Sequence, residues 1–262
     1  MSYGEQYGAL LRSISDEADA MSLACFRNSG LRVERKTDGT ALTQADGAIE
    51  KMARKKVMES GLALDVYGEE QGTGGGKTGA VPVAGRTRLI IDPIDGTEEF
   101  SRGIPTFGTL LGIEWNGEIV AGMCSAPALG TRWWAYRGEG AFRNGEKIGV
   151  SRTSQLSEAM VFTTGTGPSK GPEDRERIRR LLDASRNSRC LGGFWQHMLV
   201  AEGAIDAALD WTSKPWDLAP LGIIVEEAGG RSTNVLGERT IYSGDYLSTN
   251  GIIHEEAMKL LR

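Results

Sequence analysis

One stretch constrains this chain more than any other. Arg88-Leu89-Ile90-Ile91 is a β-rich apolar run, and it leads straight into Asp92-Pro93-Ile94-Asp95-Gly96-Thr97. A buried strand therefore ends in two carboxylates three residues apart. Pro93 breaks the strand, Gly96 turns the chain, and Thr97-Glu98-Glu99-Phe100 has the pattern of a short helix opening. Carboxylates at strand ends and helix starts can converge in one pocket. Several of them at close range repel and stay ionised only with a cation between them.

The rest of the chain supplies further candidates for that pocket. Residues 5–27 read as an amphipathic helix, with Leu10, Leu11, Ile14, Ala18, Met21 and Phe26 at helical spacing. Lys36-Thr37-Asp38-Gly39-Thr40 is a turn between short extended pieces. Thr43 can cap a helix over 44–60 with Asp46 in its first turn, where the helix dipole favours an anion. Leu62–Tyr67 reads as a strand ending at Gly68-Glu69-Glu70. Residues 71–85 are rich in glycine and predict a flexible loop that could move over a site next to Glu69. Two hairpins are expected over 106–123 and 131–148, with Asn116-Gly117 and Asn144-Gly145 at turns. The C-terminal part predicts a strand at 159–164, helices over 173–185 and 194–208, a strand at 205–209, and a helix over 218–228 preceded by Asp217. Strands at 231–234 and 246–249 and a closing helix at 254–261 follow. The texture changes near 148–152, which predicts an N-terminal subdomain over 1–150 and a C-terminal one over 151–262.

Composition narrows the function. The 262 residues carry 40% hydrophobic and 25% charged side chains, enough apolar material for a sizeable core. The net charge is −5, so a broad nucleic-acid footprint is not expected. There is no run of 18 apolar residues, so no membrane span is predicted. Met1-Ser2-Tyr3-Gly4-Glu5 lacks a basic region and an apolar core, so no secretory signal is expected. Cys25, Cys124 and Cys190 are widely separated and match neither a zinc spacing nor a disulfide framework, which points to a reducing cytoplasm. With His197 and His254 as the only histidines, Ser-His and Cys-His hydrolases lose support. Gly76-Lys77-Thr78 imitates the end of a phosphate-binding loop, but Gln71 stands where that motif needs its first glycine.

Glu69, Asp92, Asp95 and Asp217 are the candidate metal-binding carboxylates. Singly, each also has an ordinary structural role as a turn residue, a cap or a solvated acid. Hard oxygen donors without Cys or His indicate Mg²⁺ or Mn²⁺ rather than Zn²⁺. Two such ions can acidify a bound water and stabilise a leaving alkoxide in an in-line displacement. Phosphoryl transfer needs mainly positioning and charge neutralisation, so no covalent nucleophile is required. Gly96 and Thr97, opening a helix, offer backbone N–H groups to phosphate, and a side chain at position 96 would block that approach.

Taken in order, Gly68-Glu69-Glu70, Asp92-Pro93-Ile94-Asp95-Gly96-Thr97 and Trp216-Asp217-Leu218-Ala219-Pro220 resemble the inositol monophosphatase family. Lys36, Asp46, Gly138-Glu139-Gly140-Ala141-Phe142 and Glu226-Glu227-Ala228-Gly229-Gly230 extend the resemblance along nearly the whole chain. It implies an α/β (α+β) fold, a layered α/β/α/β/α sandwich, and hydrolysis of a small phosphate monoester with two or three Mg²⁺ per subunit, Mn²⁺ being possible. It also implies a homodimer. By match to the family motifs, Glu69, Asp92, the Ile94 carbonyl, Asp95 and Asp217 are the metal ligands, with Asp92 bridging. Asp46 and Thr97, with Glu69, serve the attacking water. Lys36, Gly96, Thr97, Gly193 and Asp210 border the substrate.

Trp133-Trp134, Ala126-Pro127-Ala128-Leu129 and Leu199-Val200-Ala201-Glu202-Gly203-Ala204 look like the histidinol-phosphate phosphatase branch, making histidinol phosphate the expected substrate. The alternative is inositol 1-phosphate, or another sugar or nucleoside phosphate. One departure bears on that choice. The branch often has Gly-Asp just before the 194–208 helix, where this chain has Gly192-Gly193. Asp210, seven residues before Asp217, can partly replace the missing carboxylate against the substrate's hydroxyl or amino group.

Overall fold

The computed structural model describes residues 1–36, 39, 41–72, 85–164 and 171–262. Helix α1 (Tyr3–Cys25) opens on a Ser2/Glu5 capping box. A small ribbon of β1 (Val33–Arg35) and β2 (Ala41–Thr43) leads into α2 (Gln44–Glu59). There follow β3 (Asp65–Gly68), β4 (Thr87–Asp95), α3 (Thr97–Ser101), β5 (Gly108–Trp115), β6 (Glu118–Ala126), β7 (Thr131–Tyr136), β8 (Gly140–Arg143) and β9 (Glu146–Lys147). Among the described residues these seven strands form one sheet in sequence order, with β3 parallel to β4 and the rest antiparallel. Asn116 and Asn144 have φ of 52° and 48°, each followed by a left-handed glycine, which suits the tight turns foreseen at β5–β6 and β8–β9.

The remainder comprises β10 (Met160–Thr163), α4 (Pro172–Ala184), β11 (Asn187–Cys190), α5 (Gly193–Ala201), β12 (Ala207–Trp211), α6 (Pro215–Glu227), β13 (Arg231–Thr233), β14 (Asp245–Thr249) and α7 (His254–Leu261). Its strands form a second sheet in the order β11-β10-β12-β14-β13. Helices α1 and α2 cover the outer face of the first sheet, α5 and α6 lie between the sheets, and α4 and α7 cover the outer face of the second. The fold is thus the five-layered α/β/α/β/α sandwich. No helix among the described residues is long and apolar enough to cross a membrane.

The central layer explains the pattern of the strand that feeds the site. Leu89 and Ile91 pack toward α1 and α2, while Ile90 packs into the cluster that contains α6. A strand covered on both faces reads as a continuous apolar run, not an alternating one. Helix α6 is apolar all round for the same reason, with Leu218, Leu221, Ile224 and Val225 fully buried. It lies close on the first sheet because that sheet has glycines beneath it. A Cβ on Gly112 would come 2.7 Å from the Ala219 Cβ, and one on Gly122 would come 2.6 Å from Ile223 Cγ2.

Two local expectations are corrected and one strand was not foreseen. The helix expected over 194–208 stops at Ala201, because Gly203 adopts φ of 72° and donates its N–H to the Val200 carbonyl. Helix α6 begins at Pro215, where a fixed φ suits the first helical position, so Asp217 lies inside the first turn and not ahead of the helix. Strand β11, polar and at a sheet edge, carried no apolar signal in the sequence. Residues 73–84, and with them most of the loop expected to move over the site, lie outside the described residues.

Gly122→Val is expected to destabilise the fold by about 2 kcal/mol or more, because the added carbons have only the α6 backbone and Ile223 to displace. Urea unfolding of the variant checks this, and an unchanged midpoint would contradict the packing described.

Candidate active site

The site begins where β4 loses its regular register. The β4–β5 pairing shifts between Asp92 and Asp95, at Pro93, which has no N–H to donate. Asp92 lies two residues beyond Ile90 and keeps the face that looks toward α6. Its Oδ1 accepts the Ile94 N–H at 3.0 Å, and the Thr109 hydroxyl donates to the Pro93 carbonyl at 2.8 Å, which pins the irregular segment. Gly96 then turns the chain into α3 with φ of 80°. Its need for glycine has a cause other than the one read from the sequence. A Cβ there would lie 2.8 Å from the Thr106 carbonyl oxygen, in a backbone region that L side chains avoid.

Other elements bring their carboxylates to the same place. Asp217 sits at the third position of α6 and accepts the Lys214 N–H at 2.7 Å. Asp95 accepts the Phe194 N–H at the start of α5, at 2.9 Å. Asp46 takes the equivalent position in α2, where its Oδ2 accepts the Thr43 N–H at 2.9 Å and the Thr43 hydroxyl at 2.5 Å. Glu69 follows β3 directly, and its N–H donates to the Ile91 carbonyl at 3.2 Å. Helix first turns thus hold three of the acids in question, through N–H groups that would otherwise lack partners.

Asp92, Asp95 and Asp217 each offer a carboxylate oxygen, and these oxygens lie within 4.8 Å of one another. Burial pushes the Asp92 carboxyl well up, and the charges of Glu69, Asp95 and Asp217 push it further. Asp95 is raised well above the usual range by burial and by Asp217. Burial, opposed by the Lys214 N–H and assisted by Glu69 and Asp210, pushes Asp217 up to about 7. Asp46 is also raised, chiefly by burial. Crowded, buried, oxygen-only donors of this kind fit a hard divalent cation, which would remove both the repulsion and the cost of burial. Lys36 meets the neighbouring acids, with Nζ 2.6 Å from Glu69 Oε1 and 2.7 Å from Glu70 Oε1. Burial alone would lower its pKa, but these bonds outweigh it and hold Lys36 above the ordinary lysine range.

A cleft of about 740 Å³ opens over these groups. Lys36, Glu69, Asp92, Ile94, Asp95, Gly96, Thr97 and Asp217 all line it. Asp46 is fully buried below Thr97, whose hydroxyl lies 2.8 Å from the Ile94 carbonyl and 3.3 Å from Asp46 Oδ1. Asp210 and Gly193 do not line the cleft. Asp210 is buried on β12, where Oδ1 accepts from the Gln196 amide and Oδ2 lies 3.4 Å from His197 Nε2. Gly193, with φ of 64°, backs onto Asp95, and a Cβ on it would lie 3.0 Å from Asp95 Oδ2. Sequence reasoning missed Thr212 and Lys214 in the cleft wall, the Phe194 N–H, and the fully buried Glu50 beneath Glu69. Glu50 had one signal. It stands a helical turn after Asp46, among the buried positions Ile49, Met52 and Ala53.

Comparison with known proteins agrees with this geometry. The model of the inositol monophosphatase family matches residues 13–262. This chain belongs to that family. Its members are metal-dependent phosphatases, and as a member it is a phosphoric monoester hydrolase. A histidinol-phosphatase of Mycobacterium tuberculosis is 37% identical over 257 residues, 96% of each chain. The solved Thermotoga maritima IMPase superposes with a TM-score of 0.81 at 31% identity, covering 95% of this chain and 94% of that one. An IMPase/NADP phosphatase, solved with Mg²⁺ and phosphate, shares the fold with a TM-score of 0.83 at 21% identity, over 98% of this chain and 95% of its own.

The raised carboxyls set a pH dependence. The folded, metal-free site keeps protons that the unfolded chain releases near pH ~4, so stability drains away as pH rises from about 4 to about 7. Asp217→Asn removes one contributor. In EDTA-treated protein its melting temperature is expected to exceed wild type by more at about pH 8 than at about pH 5. A difference that does not change with pH would remove Asp217 from the crowded set.

Proposed function

We propose that the monoester is histidinol phosphate, hydrolysed with two or three Mg²⁺ per subunit, Mn²⁺ serving as a substitute. The ligands assigned are Glu69, Asp92, the Ile94 carbonyl, Asp95 and Asp217. The observation that carries the metal assignment is the trio of aspartate oxygens within 4.8 Å, buried and under mutual repulsion. The substrate assignment is supported by the 37% identity with the M. tuberculosis histidinol-phosphatase along 96% of both chains.

The bound ions would acidify a water and neutralise charge on the phosphoryl oxygens and the leaving alkoxide. Thr97 and Asp46 handle the water itself. The Thr97 hydroxyl orients it and relays its proton, accepting the water's while passing its own to Asp46, which lies beneath it at 3.3 Å and is raised by burial. Glu69 assists from the cleft wall, where Lys36 meets its Oε1. The Gly96 and Thr97 N–H groups open α3 toward the phosphoryl oxygens, and Lys36, paired with Glu69 and Glu70, adds a positive charge to the cleft wall. Gly193 and Asp210, which stand behind the cleft wall, are assigned to the alcohol end of the substrate through the groups in front of them, Gly193 by abutting Asp95 and Asp210 by its charge on Asp217. The chain is further proposed to be a cytoplasmic homodimer, a setting that suits its free cysteines Cys25, Cys124 and Cys190.

Inositol 1-phosphate is the second reading, with other sugar and nucleoside phosphates after it. It is favoured by Gly193, whose φ of 64° and closeness to Asp95 leave little room for the aspartate expected against an amine.

A phosphate-release screen across histidinol phosphate, inositol phosphates, sugar phosphates and nucleotides decides between them. The highest kcat/KM is expected with histidinol phosphate, dependent on Mg²⁺ and abolished by EDTA. A higher value with inositol 1-phosphate would replace the first reading by the second. Asp95→Asn is expected to lower kcat about 100-fold or more in a folded protein, since it removes charge and little volume from the metal site. Asp210→Ala is expected to raise KM more than it lowers kcat, and an unchanged KM would take Asp210 out of substrate binding.

A further inference from the structure

We infer that Glu50 and Arg54 form a positioning pair that aims Glu69 into the site. The inference rests on the reading of Glu69 as a metal ligand. Glu50 is fully buried on α2, and four groups converge on its carboxylate. Oε1 accepts from Arg54 Nε at 3.0 Å, from Arg54 Nη2 at 2.7 Å and from the Gln71 N–H at 3.2 Å, while Oε2 accepts the Glu70 N–H at 2.8 Å. Arg54 then reaches past it to the Val66 carbonyl at 3.2 Å and the Gly72 carbonyl at 2.6 Å. The pair therefore grips the segment around Glu69 from both sides. It holds β3 before Glu69 and the turn after it.

The turn is built to accept this grip. Gly68 and Gly72 exchange N–H···O bonds of 3.1 Å and close a five-residue ring with Glu69 in it. A Cβ on Gly68 would lie 2.3 Å from the Glu50 carboxyl carbon, so the backbone rests directly on the carboxylate and position 68 has room for glycine alone. Inward N–H groups of residues 70 and 71 point at one buried negative charge, and bonds of that kind are stronger and more directional than neutral ones. The Glu69 N–H continues the β3–β4 pairing to the Ile91 carbonyl, which sets Glu69 beside Asp92. With its own N–H on Ile91 and the backbone on either side of it held by Glu50 and Arg54, Glu69 presents its side chain to the cleft, where Lys36 Nζ meets Oε1 at 2.6 Å. Outer residues that orient a ligand in this way typically change metal affinity about 10- to 100-fold when removed.

Isothermal titration of substrate-free protein with Mn²⁺ tests the inference, alongside circular dichroism and melting temperature of the same samples. Glu50→Gln keeps the volume but turns an amide N–H₂ toward backbone donors. It is expected to weaken Mn²⁺ binding about tenfold while leaving KM at saturating metal within about twofold of wild type. Folded Glu50→Gln protein with wild-type Mn²⁺ affinity would overturn the pair's role and leave it purely structural. If Glu50→Gln does not fold, Arg54→Lys answers the same question. It keeps the charge and loses the forked reach to the Val66 and Gly72 carbonyls, and wild-type affinity in that variant overturns the inference equally. Glu69→Gln separates the two levels. If it too binds Mn²⁺ as wild type does, the assignment of Glu69 as a ligand fails. If it weakens binding and the Glu50 and Arg54 variants do not, the positioning role alone fails.

Discussion

Mutual repulsion among buried carboxylates is the constraint around which this molecule is arranged. Asp92 and Asp95 at the end of β4 and Asp217 in α6 approach within 4.8 Å, and each is pushed toward its neutral form by burial and by its neighbours. Such an arrangement is unfavourable for the empty fold and is tolerated because the rest of the structure holds it. Backbone N–H groups do much of the holding. Lys214, Phe194 and Ile94 each donate one to an aspartate of the trio. These donors relieve part of the charge without filling the space between the oxygens. That space suits a divalent cation, in keeping with a metal-dependent family.

Helix α6 makes the convergence possible. It is apolar on every side, lies between the two sheets, and carries Asp217 in its first turn. Glycines under it in β5 and β6 let it approach the first sheet closely enough for Asp217 to meet Asp92 and Asp95. A side chain at Gly112 or Gly122 would lift the helix away and open the site from below. Packing and chemistry are thus linked through a few absent side chains, and a well-packed core transmits a small displacement to the carboxylates.

Much of the site was legible because it is written in local terms. An apolar run ending in Asp92-Pro93-Ile94-Asp95-Gly96-Thr97 dictates a strand, a break and a turn, and Thr43 with Asp46 dictates a capped helix start. Features that depend on a distant partner were not legible. Asp210 carries a spacing suggestive of the substrate pocket, yet its side chain turns to Gln196 and His197 behind the cleft. Glu50 looks like one more charged residue on a helix, because its partners are backbone N–H groups some 20 residues further along. Gly96 needs to be glycine for a reason set by the Thr106 carbonyl, which no reading of the motif alone contains.

By itself the sequence determined the element types, the hairpin turns, the layered family fold, and which acids were available for chemistry. The elements and turns follow from hydrophobic period, capping and turn preferences, which act over a few residues, whereas the layered fold was legible through the resemblance of the motifs to a known family. Tertiary structure alone decided which oxygens meet, which carboxylates retreat into the protein, and which backbone donors hold them. Electrostatic interaction and steric fit depend on separations of a few ångströms between residues more than a hundred positions apart, and only the packed molecule sets those separations.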